Sequence, residues 1–469
     1  MTKTMIKYGV AALLAFMLTG CAGNVTSGTE SQPVSDAQSG ISDNESSDTS
    51  SRYEIITATE MAEKMGSWRE VFTDPTLQRY IQTALDNNKD LDNARLNVNI
   101  ANSQLKGAKL SYLPSLAFAP NGAGSKYGKQ DMGWSYQLPL QASWEIDVFG
   151  KILNQKRAAQ VGVEMAEDYR QATQSQIICA VARTYYQIVL LNQQLDLTKR
   201  TAVIWEDQVR SMKLMKQAGM TNEAAVVQAQ ANLHSLLASI PDLELNIHQA
   251  QNALSLLLNT YPQKWAVTNN LDFKTQAPTE GNIPISYLAV RPDVRAAERN
   301  FAAAYYATNQ ARANFYPSLT ISANGGFTNA LGAMISNPGK WFVNLAGSLV
   351  APIFSRGRNI AQLEVAKAQQ QQALNDFQYT ILNSSSQVSD ALKQISTAGE
   401  KREQILLQID DLEKSVNYTE TLFTTGDATY LELLSSRASL LNAQMSSLNC
   451  WYQRVGGVIY LYQTLGGGR

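Results

Sequence analysis

Two stretches of the chain alternate between apolar and polar residues. From Trp134 to Ile146 every even-numbered residue is apolar or aromatic, and the odd-numbered residues are polar apart from Pro139. The stretch from Trp341 to Ile353 repeats this alternation more weakly. Because successive side chains of a strand point to opposite faces, each stretch predicts a β-strand with one apolar and one polar face.

A second alternating segment precedes each of these strands. In the second half of the chain its apolar face holds Leu319, Ile321, Ala323, Gly325 and Phe327, and its polar face holds Thr320, Ser322 and Asn324. Leu116 and Phe118 begin the counterpart in the first half. A tilted strand of about 9–11 residues crosses a bilayer, so four membrane-spanning strands are predicted, at about 114–147 and 317–354. Trp134, Trp144 and Trp341 would then form an aromatic girdle at the membrane interface.

Two long stretches, 151–217 and 357–424, contain no proline and almost no glycine. They are rich in Ala, Gln, Leu and Glu, which favour helices, and each helix would be about 100 Å long. Apolar residues recur every seven positions at Leu190, Leu197 and Ile204, and again at Leu374, Ile381, Val388 and Ile395. Heptad spacing predicts coiled-coil packing, and the polar, mostly uncharged other faces suit the wall of a water-filled tube.

A glycine turn follows each long helix, at Gly219 and at Gly426. Glycine past a helix end supplies the left-handed cap, and a threonine or asparagine a few residues further on can cap the next helix. Both turns are therefore predicted to be hairpin tips, far from the strands and well placed to meet a partner protein. A simple helix connection would show the same local pattern.

The chain also repeats itself. The segment from Asp90 to Leu116 matches the segment from Asp293 to Leu319 at a constant offset, and further on Gly219 matches Gly426. Each half predicts a helix, two strands, a very long helix, a tight turn and a helix. We expect a first repeat over 53–262 and a second over 263–469, the second beginning with a linker to about residue 285.

Near the N-terminus, Lys3 and Lys7 precede an apolar run that ends in Leu18-Thr-Gly-Cys21. A basic head, a short apolar body and small residues before a cleavage point are typical of a secretory signal. The last four residues resemble the bacterial lipoprotein box, which implies cleavage before Cys21 and acylation of that cysteine. A plain signal peptide with an incidental cysteine is the alternative.

Residues 1–20 are thus predicted to be a lipoprotein signal peptide. The segment from the acylated cysteine to residue 52 is poor in large apolar residues, so it is predicted to be a flexible tether. Ala22 follows the cysteine, and in the lipoproteins that this chain resembles such a residue implies sorting to the outer membrane.

Composition excludes several classes of function. The net charge is −1 and only 17% of the residues are charged, so no basic excess points to nucleic acid. His234 and His248 would lie about 21 Å apart on one helix, too far to share a metal ion. Cys179 and Cys450 are expected to be buried thiols, with a disulfide between them as the alternative. With no nucleophile–base pair, phosphate loop or metal-ligand cluster in view, we expect neither catalysis nor a cofactor.

No run after residue 21 is long and apolar enough for a transmembrane helix, so a membrane span would have to be a closed barrel of strands. Four strands cannot close a barrel with a polar interior, and open edges cannot lie in lipid. Three copies would supply twelve strands, which predicts a homotrimer. A soluble sandwich with the apolar faces in its core is the alternative.

Four stretches resemble the TolC-like outer membrane factors, in particular their lipoprotein branch in multidrug efflux. They are the lipoprotein box at Cys21 and the segments 144–151, 291–298 and 311–319, and the likeness extends over nearly all of the chain from residue 53. The resemblance implies a mixed α/β membrane protein, anchored by lipid in the outer membrane, whose trimer has a twelve-stranded barrel and a helical tunnel in the periplasm. It also implies two partners, a periplasmic adaptor (membrane fusion) protein and an inner-membrane pump of the RND type.

The resemblance further implies an acidic ring at a periplasmic gate. Glu432 occupies one such position, whereas Ser435 stands where a second acid is common. Ala428 and Phe423 stand where some relatives carry an Arg and a polar aromatic residue, so an ionic latch of that type is not expected. Glu432 as an ordinary solvated helix residue is the alternative.

The predicted function is that of an outer-membrane exit duct that passively conducts drugs or other small toxic compounds. The same tube could serve type I protein secretion or metal export. A lipid-anchored periplasmic coiled-coil scaffold without a barrel is a further alternative, although it would not need an apolar strand face.

Overall fold

The computed structural model describes residues 67–126, 128, 131–268, 271, 285–331 and 334–468. The predicted signal peptide, Cys21 and the tether lie outside these residues. In chain order the described elements are α1 (Trp68–Val71), α2 (Pro75–Asn87), α3 (Lys89–Leu110), β1 (Ser115–Phe118), β2 (Asn121–Ser125), β3 (Gly133–Ile146), α4 (Lys151–Gln217), α5 (Glu223–Leu257), a 3₁₀ helix (Ile285–Val290), α6 (Pro292–Ala313), β4 (Ser318–Leu331), β5 (Met334–Val350), α7 (Arg358–Thr425) and α8 (Tyr430–Thr464).

The strands form one antiparallel sheet in the order β1-β3-β4-β5, and β2 also pairs with β3. Its register aligns the alternating patterns of the two repeats, because Leu138 lies opposite Phe327 and Trp144 lies opposite Ile321. The next pair continues the same face, with Phe327 opposite Trp341. The apolar positions of the alternating patterns therefore join one face of the sheet, and the other face is mostly polar, with Pro139 and Phe342 as apolar exceptions.

The first strand differs from its prediction as a single span. Residues Ala119 and Pro120 separate β1 from β2, although both short strands pair with β3. Proline lacks the N–H that a continuous ladder requires. The interruption lies on an edge of the sheet, which is where proline is tolerated.

The two long helices begin and end close to the predicted positions. The α4 helix packs against α5 as a first hairpin, and α7 packs against α8 as a second hairpin. The heptad residues Leu190, Val388 and Ile395 are buried, whereas Ile204 is exposed, so part of the predicted seam is uncovered in the single protomer. No helix among the described residues combines the length and the apolar composition that a membrane span needs.

The largest core lies where α2, α4, α5 and α8 meet. Phe72, Leu77, Tyr185 and Tyr462 are completely or almost completely buried there. The hydroxyl of Tyr185 donates to Oδ2 of Asp74 at 2.6 Å, and Asp74 also caps the first turn of α2. This polar link lets buried tyrosines fill the core without leaving a hydroxyl unpaired.

Candidate functional site

The apolar face of the sheet is uncovered in the protomer. Trp341 is 80% exposed and Leu345 is 76% exposed. Large side chains from the other strands, including Leu116, Phe118 and Leu140, are exposed as well. A contiguous apolar surface of this kind marks a site of contact with lipid or protein.

The middle of the opposite face carries uncharged polar side chains, and the charged residues Glu145 and Lys340 lie toward its two ends. Gln141 lies opposite Asn324, which in turn lies opposite Asn344. Ser143 and Ser322 form the next such pair. These groups can hydrogen-bond to water without presenting a fixed charge, so this face suits the wall of an aqueous channel.

The three predicted girdle tryptophans all lie on the apolar face of the sheet. Trp134 and Trp341 are exposed toward the end that is remote from the long helices, and Trp341 meets Phe327 edge to face. Trp144 lies at the helical end, where its Nε1 donates to the carbonyl oxygen of Tyr112 at 2.9 Å. Amphipathic rings at both ends of an apolar band fit the two interfaces of a membrane.

The segment 144–151 connects β3 of the sheet to α4, the first long helix. Gly150 has a left-handed conformation, with φ of 74°, and the ring of Phe149 stacks on Tyr316 with centroids 4.8 Å apart. Oδ2 of Asp147 accepts a hydrogen bond from the backbone N–H of Leu153 at 2.7 Å. The segment 144–151, one of the stretches that resemble the outer membrane factors, thus fixes the angle between β3 and α4.

Both predicted tips are tight turns with the expected caps. Gly219 and Gly426 have φ of 75° and 87°, a region that favours glycine. Asn222 caps α5, and Thr429 caps α8. Met220, directly after the first glycine, is 70% exposed, so the first tip presents an apolar side chain to solvent.

Glu432 is exposed, and it belongs to a capping box. Its Oε2 accepts a hydrogen bond from the backbone N–H of Thr429 at 2.6 Å, and its own N–H donates to the Thr429 hydroxyl. The hydrogen bonds from Thr429 lower the pKa of Glu432 below the usual value. The carboxylate therefore stays ionised while it stabilises the first turn of α8.

The sequence does not predict one contact between the two hairpins. Arg437 on α8 contacts Gln208 on α4, and these residues lie in different repeats. In the sequence, Arg437 looks like any charged residue on the solvent-exposed side of a helix, so its contact with Gln208 could not be predicted. Among the described residues, no group of three or more His, Cys, Asp or Glu side chains is placed to hold a metal ion.

A sheet with one lipid-like and one water-like face, continued by two very long helical hairpins, defines a channel-forming membrane protein. The chain belongs to the Outer membrane efflux protein family, whose profile matches residues 80–260 and 284–467. The fold class predicted from the sequence, the resemblance to outer membrane factors and the location in the outer membrane are thereby confirmed. Proteins of this family act as trimeric channels within tripartite efflux systems.

Individual relatives agree with this assignment. The chain is 30% identical to the probable outer membrane lipoprotein SilC of Salmonella typhimurium, over 86% of this chain and 88% of that protein. It is 27% identical to the toluene efflux pump outer membrane protein TtgC of Pseudomonas putida, over 89% and 88%. A crystal structure of CusC superposes with a TM-score of 0.81 at 27% identity, over 86% of this chain and 94% of that one. CusC of Escherichia coli K12 is named a cation efflux system protein.

Proposed function

We propose that this chain is the passive exit duct through which an inner-membrane pump of the RND type expels drugs or other small toxic compounds. The observation that carries this proposal is the register of the sheet. It gathers uncharged polar side chains such as Gln141, Asn324 and Asn344 on one face. A wall whose middle part is polar and neutral lets small solutes of either charge pass, and the energy is supplied by the pump.

The test is a strain that lacks its own outer-membrane efflux channels. Expression of this chain together with its cognate pump should lower the intracellular level of a fluorescent pump substrate and raise resistance to several unrelated antibiotics. Expression of the chain without the pump is the control, and it should give no resistance. If the complete system exports none of these compounds, the proposal for small toxic compounds is wrong.

Export of metal cations is the second candidate. It is favoured by one kind of relative, the cation efflux system protein CusC, which is 28% identical to this chain in Escherichia coli K12. Under this alternative the metal cation is the exported substrate, and the pump selects it. Growth of the same strains on a panel of transition-metal salts separates the two candidates, because a drug duct leaves metal tolerance unchanged.

The two tips are proposed to dock a periplasmic adaptor protein. Gly219 and Gly426 give both turns the tight geometry needed for end-on contact, and exposed Met220 offers an apolar anchor. Deletion of residues 218–221 should abolish export and cross-linking to the adaptor, while trimers remain in the membrane. Unchanged export by trimers that lack residues 218–221 would show that the first tip does not dock the adaptor.

Glu432 is proposed to contribute a cation-favouring field at the periplasmic gate. Glu432→Gln tests the charge alone, because glutamine can preserve the capping box. The ratio of cation to anion permeability, measured from reversal potentials of single trimers, should fall. Glu206→Gln, a change of an exposed acid on α4 farther from the tips, is the matched control and should leave that ratio unchanged. An unaltered permeability ratio in Glu432→Gln would show that Glu432 caps the helix and does not influence ion selectivity.

Cys21 is proposed to carry the lipid anchor. Radioactive palmitate should label the wild-type protein and should not label Cys21→Ser. The barrel can insert without an anchor, so Cys21→Ser trimers should still form in the outer membrane at a reduced level. Equal labelling of both proteins would exclude Cys21 as the acylated residue.

A further inference from the structure

Positively charged residues surround the end of the sheet that adjoins the long helices. The segments 104–113, 151–160, 307–316 and 358–367 join the strands to α3, α4, α6 and α7, and together they hold eight basic residues and one acidic residue, Glu364. The basic residues are Lys106, Lys109, Lys151, Lys156, Arg157, Arg312, Arg358 and Lys367. Because the whole chain has a formal net charge of −1, this excess of positive charge is local.

The basic residues of α4 lie on two sides of the helix. Nζ of Lys151 is 3.1 Å from Oε1 of Glu145, and Glu145 belongs to the polar face of the sheet. An α-helix turns by about 100° per residue, so Lys156 and Arg157 lie about 140° and about 240° round α4 from Lys151. Lys156 and Arg157 are therefore on the side of α4 that continues the apolar face of the sheet.

Three of the cations lie close to one tyrosine at the membrane interface, and we call Lys109, Lys156 and Arg157 the basic patch. Nζ of Lys156 is 5.9 Å from the centre of the Tyr112 ring, and Lys109 lies one helical turn before Tyr112 on α3. The carbonyl oxygen of Tyr112 accepts the hydrogen bond from Nε1 of Trp144, the girdle tryptophan at this end. The basic patch thus lies beside the point where the apolar band of the sheet ends.

The basic patch is not neutralised by an ion pair within the described part of the chain. None of its three cations lies within salt-bridge distance of a carboxylate there. Asp147 precedes α4, but its Oδ2 accepts a hydrogen bond from the backbone N–H of Leu153, and the dipole of α4 compensates a negative charge at that position. The basic patch therefore keeps an excess of positive charge for an external anion.

We propose that the basic patch binds the anionic headgroups of phospholipids in the periplasmic leaflet of the outer membrane. The long helices extend into the periplasm, so the patch lies at the headgroup layer of that leaflet, directly beyond the hydrocarbon core. Basic side chains can lay their apolar stems along the band while their charges reach the phosphates. The proposal goes beyond the duct function, because it concerns the surrounding lipid and not the exported compound.

The test compares two lipids at the surface of the purified full-length trimer. The protein is reconstituted in vesicles of phosphatidylethanolamine with a minor fraction of phosphatidylglycerol, and one of the two lipids carries brominated chains, which quench tryptophan fluorescence on contact. The part of the quenching that is lost in Trp144→Phe comes from Trp144, beside the basic patch. Since a cation near an anionic surface contributes a factor of about five, Trp144 should meet phosphatidylglycerol at least about fivefold more often than its mole fraction predicts.

A variant that lacks the patch should lose this preference. It carries three changes to glutamine, Lys109→Gln, Lys156→Gln and Arg157→Gln. The matched control removes three exposed cations of α4 that lie more than about 70 Å along the helix from the strands, by Arg200→Gln, Arg210→Gln and Lys213→Gln. The control should keep the wild-type preference, because the same loss of charge then occurs far from the lipid.

Salt provides a second measurement on the wild-type protein. An increase in ionic strength from about 0.01 M to about 1 M shortens the screening length from about 30 Å to about 3 Å, so the preference for phosphatidylglycerol should disappear. If the patch variant forms no trimers on heat-modifiable gel migration, this measurement decides the question, and a preference that salt leaves unchanged would overturn the inference.

Two further outcomes would overturn the inference. An equal preference in wild type and in the patch variant would show that the three cations do not select the lipid. Loss of the preference on addition of glycerol phosphate, at constant ionic strength, would show that the patch binds soluble phosphates and not a lipid surface. Neither measurement requires export, so a failure of the proposed duct function would leave both results interpretable.

Discussion

The guanidinium of Arg291 donates a hydrogen bond from Nη1 to the carbonyl oxygen of Thr464 at 2.7 Å. Arg291 directly precedes α6, and Thr464 is the last residue of α8, so the bond joins the start of the second repeat to its end. Nη2 also donates to Gln387 on α7, and both carboxylate oxygens of Asp293 bind the same guanidinium. A cation at the C-terminal end of a long helix is favoured by the helix dipole.

Replacement of this arginine should loosen the packing of three helices. Arg291→Met would leave the buried Thr464 carbonyl and Gln387 amide without their donor, at a cost of about 2–3 kcal/mol. The thermal midpoint of the purified protein in detergent should fall. Arg312→Met, on the exposed surface of the same α6 helix, is the control. Equal midpoints for the two variants would contradict the assigned role.

The Asp293 carboxylate should make stability depend on acid pH. Partial burial raises the pKa of Asp293, but the hydrogen bonds and positive charge of Arg291 outweigh this and lower the pKa below its usual value. The ionised carboxylate therefore stabilises the folded protein. This contribution is fully present above the unfolded pKa of about 3.9, and it is lost as the pH falls through the lower pKa of the folded state.

Asp293→Asn should therefore be less stable than wild type at pH 7, and the difference should shrink as the pH falls through the lowered pKa of the folded state and vanish below it. Because Asp293 is half exposed, the gap at neutral pH should be no more than about 1 kcal/mol. Denaturant unfolding of both proteins at several pH values checks this. A gap that widens on acidification would show that the carboxylate is not stabilised by Arg291.

The elements themselves could be predicted because their patterns are local. The period-2 alternation around Trp144 and the absence of proline in α4 are properties of neighbouring residues. The type and the approximate bounds of these strands and helices could therefore be predicted from the sequence. The break at Pro120 arises from one missing N–H, and the alternation of Leu116 and Phe118 before it does not indicate where the strand is interrupted. Contacts such as Arg437–Gln208 depend on how two long helices rotate against each other, which is decided by packing across the repeats and leaves no periodic trace.

The two faces of the sheet should respond oppositely to a new charge. Leu345 and Asn344 are neighbours on β5, both exposed in the protomer, on the apolar and polar faces respectively. A lysine on the lipid side costs about 2–4 kcal/mol near the bilayer midplane. Leu345→Lys should thus reduce the yield of membrane-inserted trimers, whereas Asn344→Lys should leave it intact and shift ion selectivity toward anions. Equal trimer yields would contradict the assignment of faces.

Both cysteines of the described region are free and buried. Burial raises the pKa of the Cys179 thiol to about 12, so almost no thiolate exists at pH 8, and the thiolate is the reactive form. N-Ethylmaleimide should therefore leave the native protein unmodified at pH 8 and add two groups to the mature protein, lipidated at Cys21, after denaturation. Mass spectrometry distinguishes these products. Rapid native labelling would mean that the core around Cys179 opens easily.

Two adjacent glycines in α8 should have opposite effects when changed to alanine. A Cβ at Gly456 would meet no atom within 4 Å, whereas a Cβ at Gly457 would lie 2.9 Å from Cγ1 of Ile395 on α7. Alanine in a helix interior is favoured over glycine by about 1 kcal/mol, so Gly456→Ala should raise the unfolding midpoint.

At Gly457 the same gain is opposed by overpacking. Ile395 is almost completely buried, so it cannot rotate away without disturbing its neighbours, and a clash of this kind costs about 1–3 kcal/mol. Gly457→Ala should therefore lower the midpoint. The double variant Gly457→Ala with Ile395→Ala should lose less stability than the sum of the two single changes, because alanine lacks the γ carbon at the contact. Equal stabilisation by both alanines would show that α7 and α8 are less tightly packed at this level than their close approach indicates.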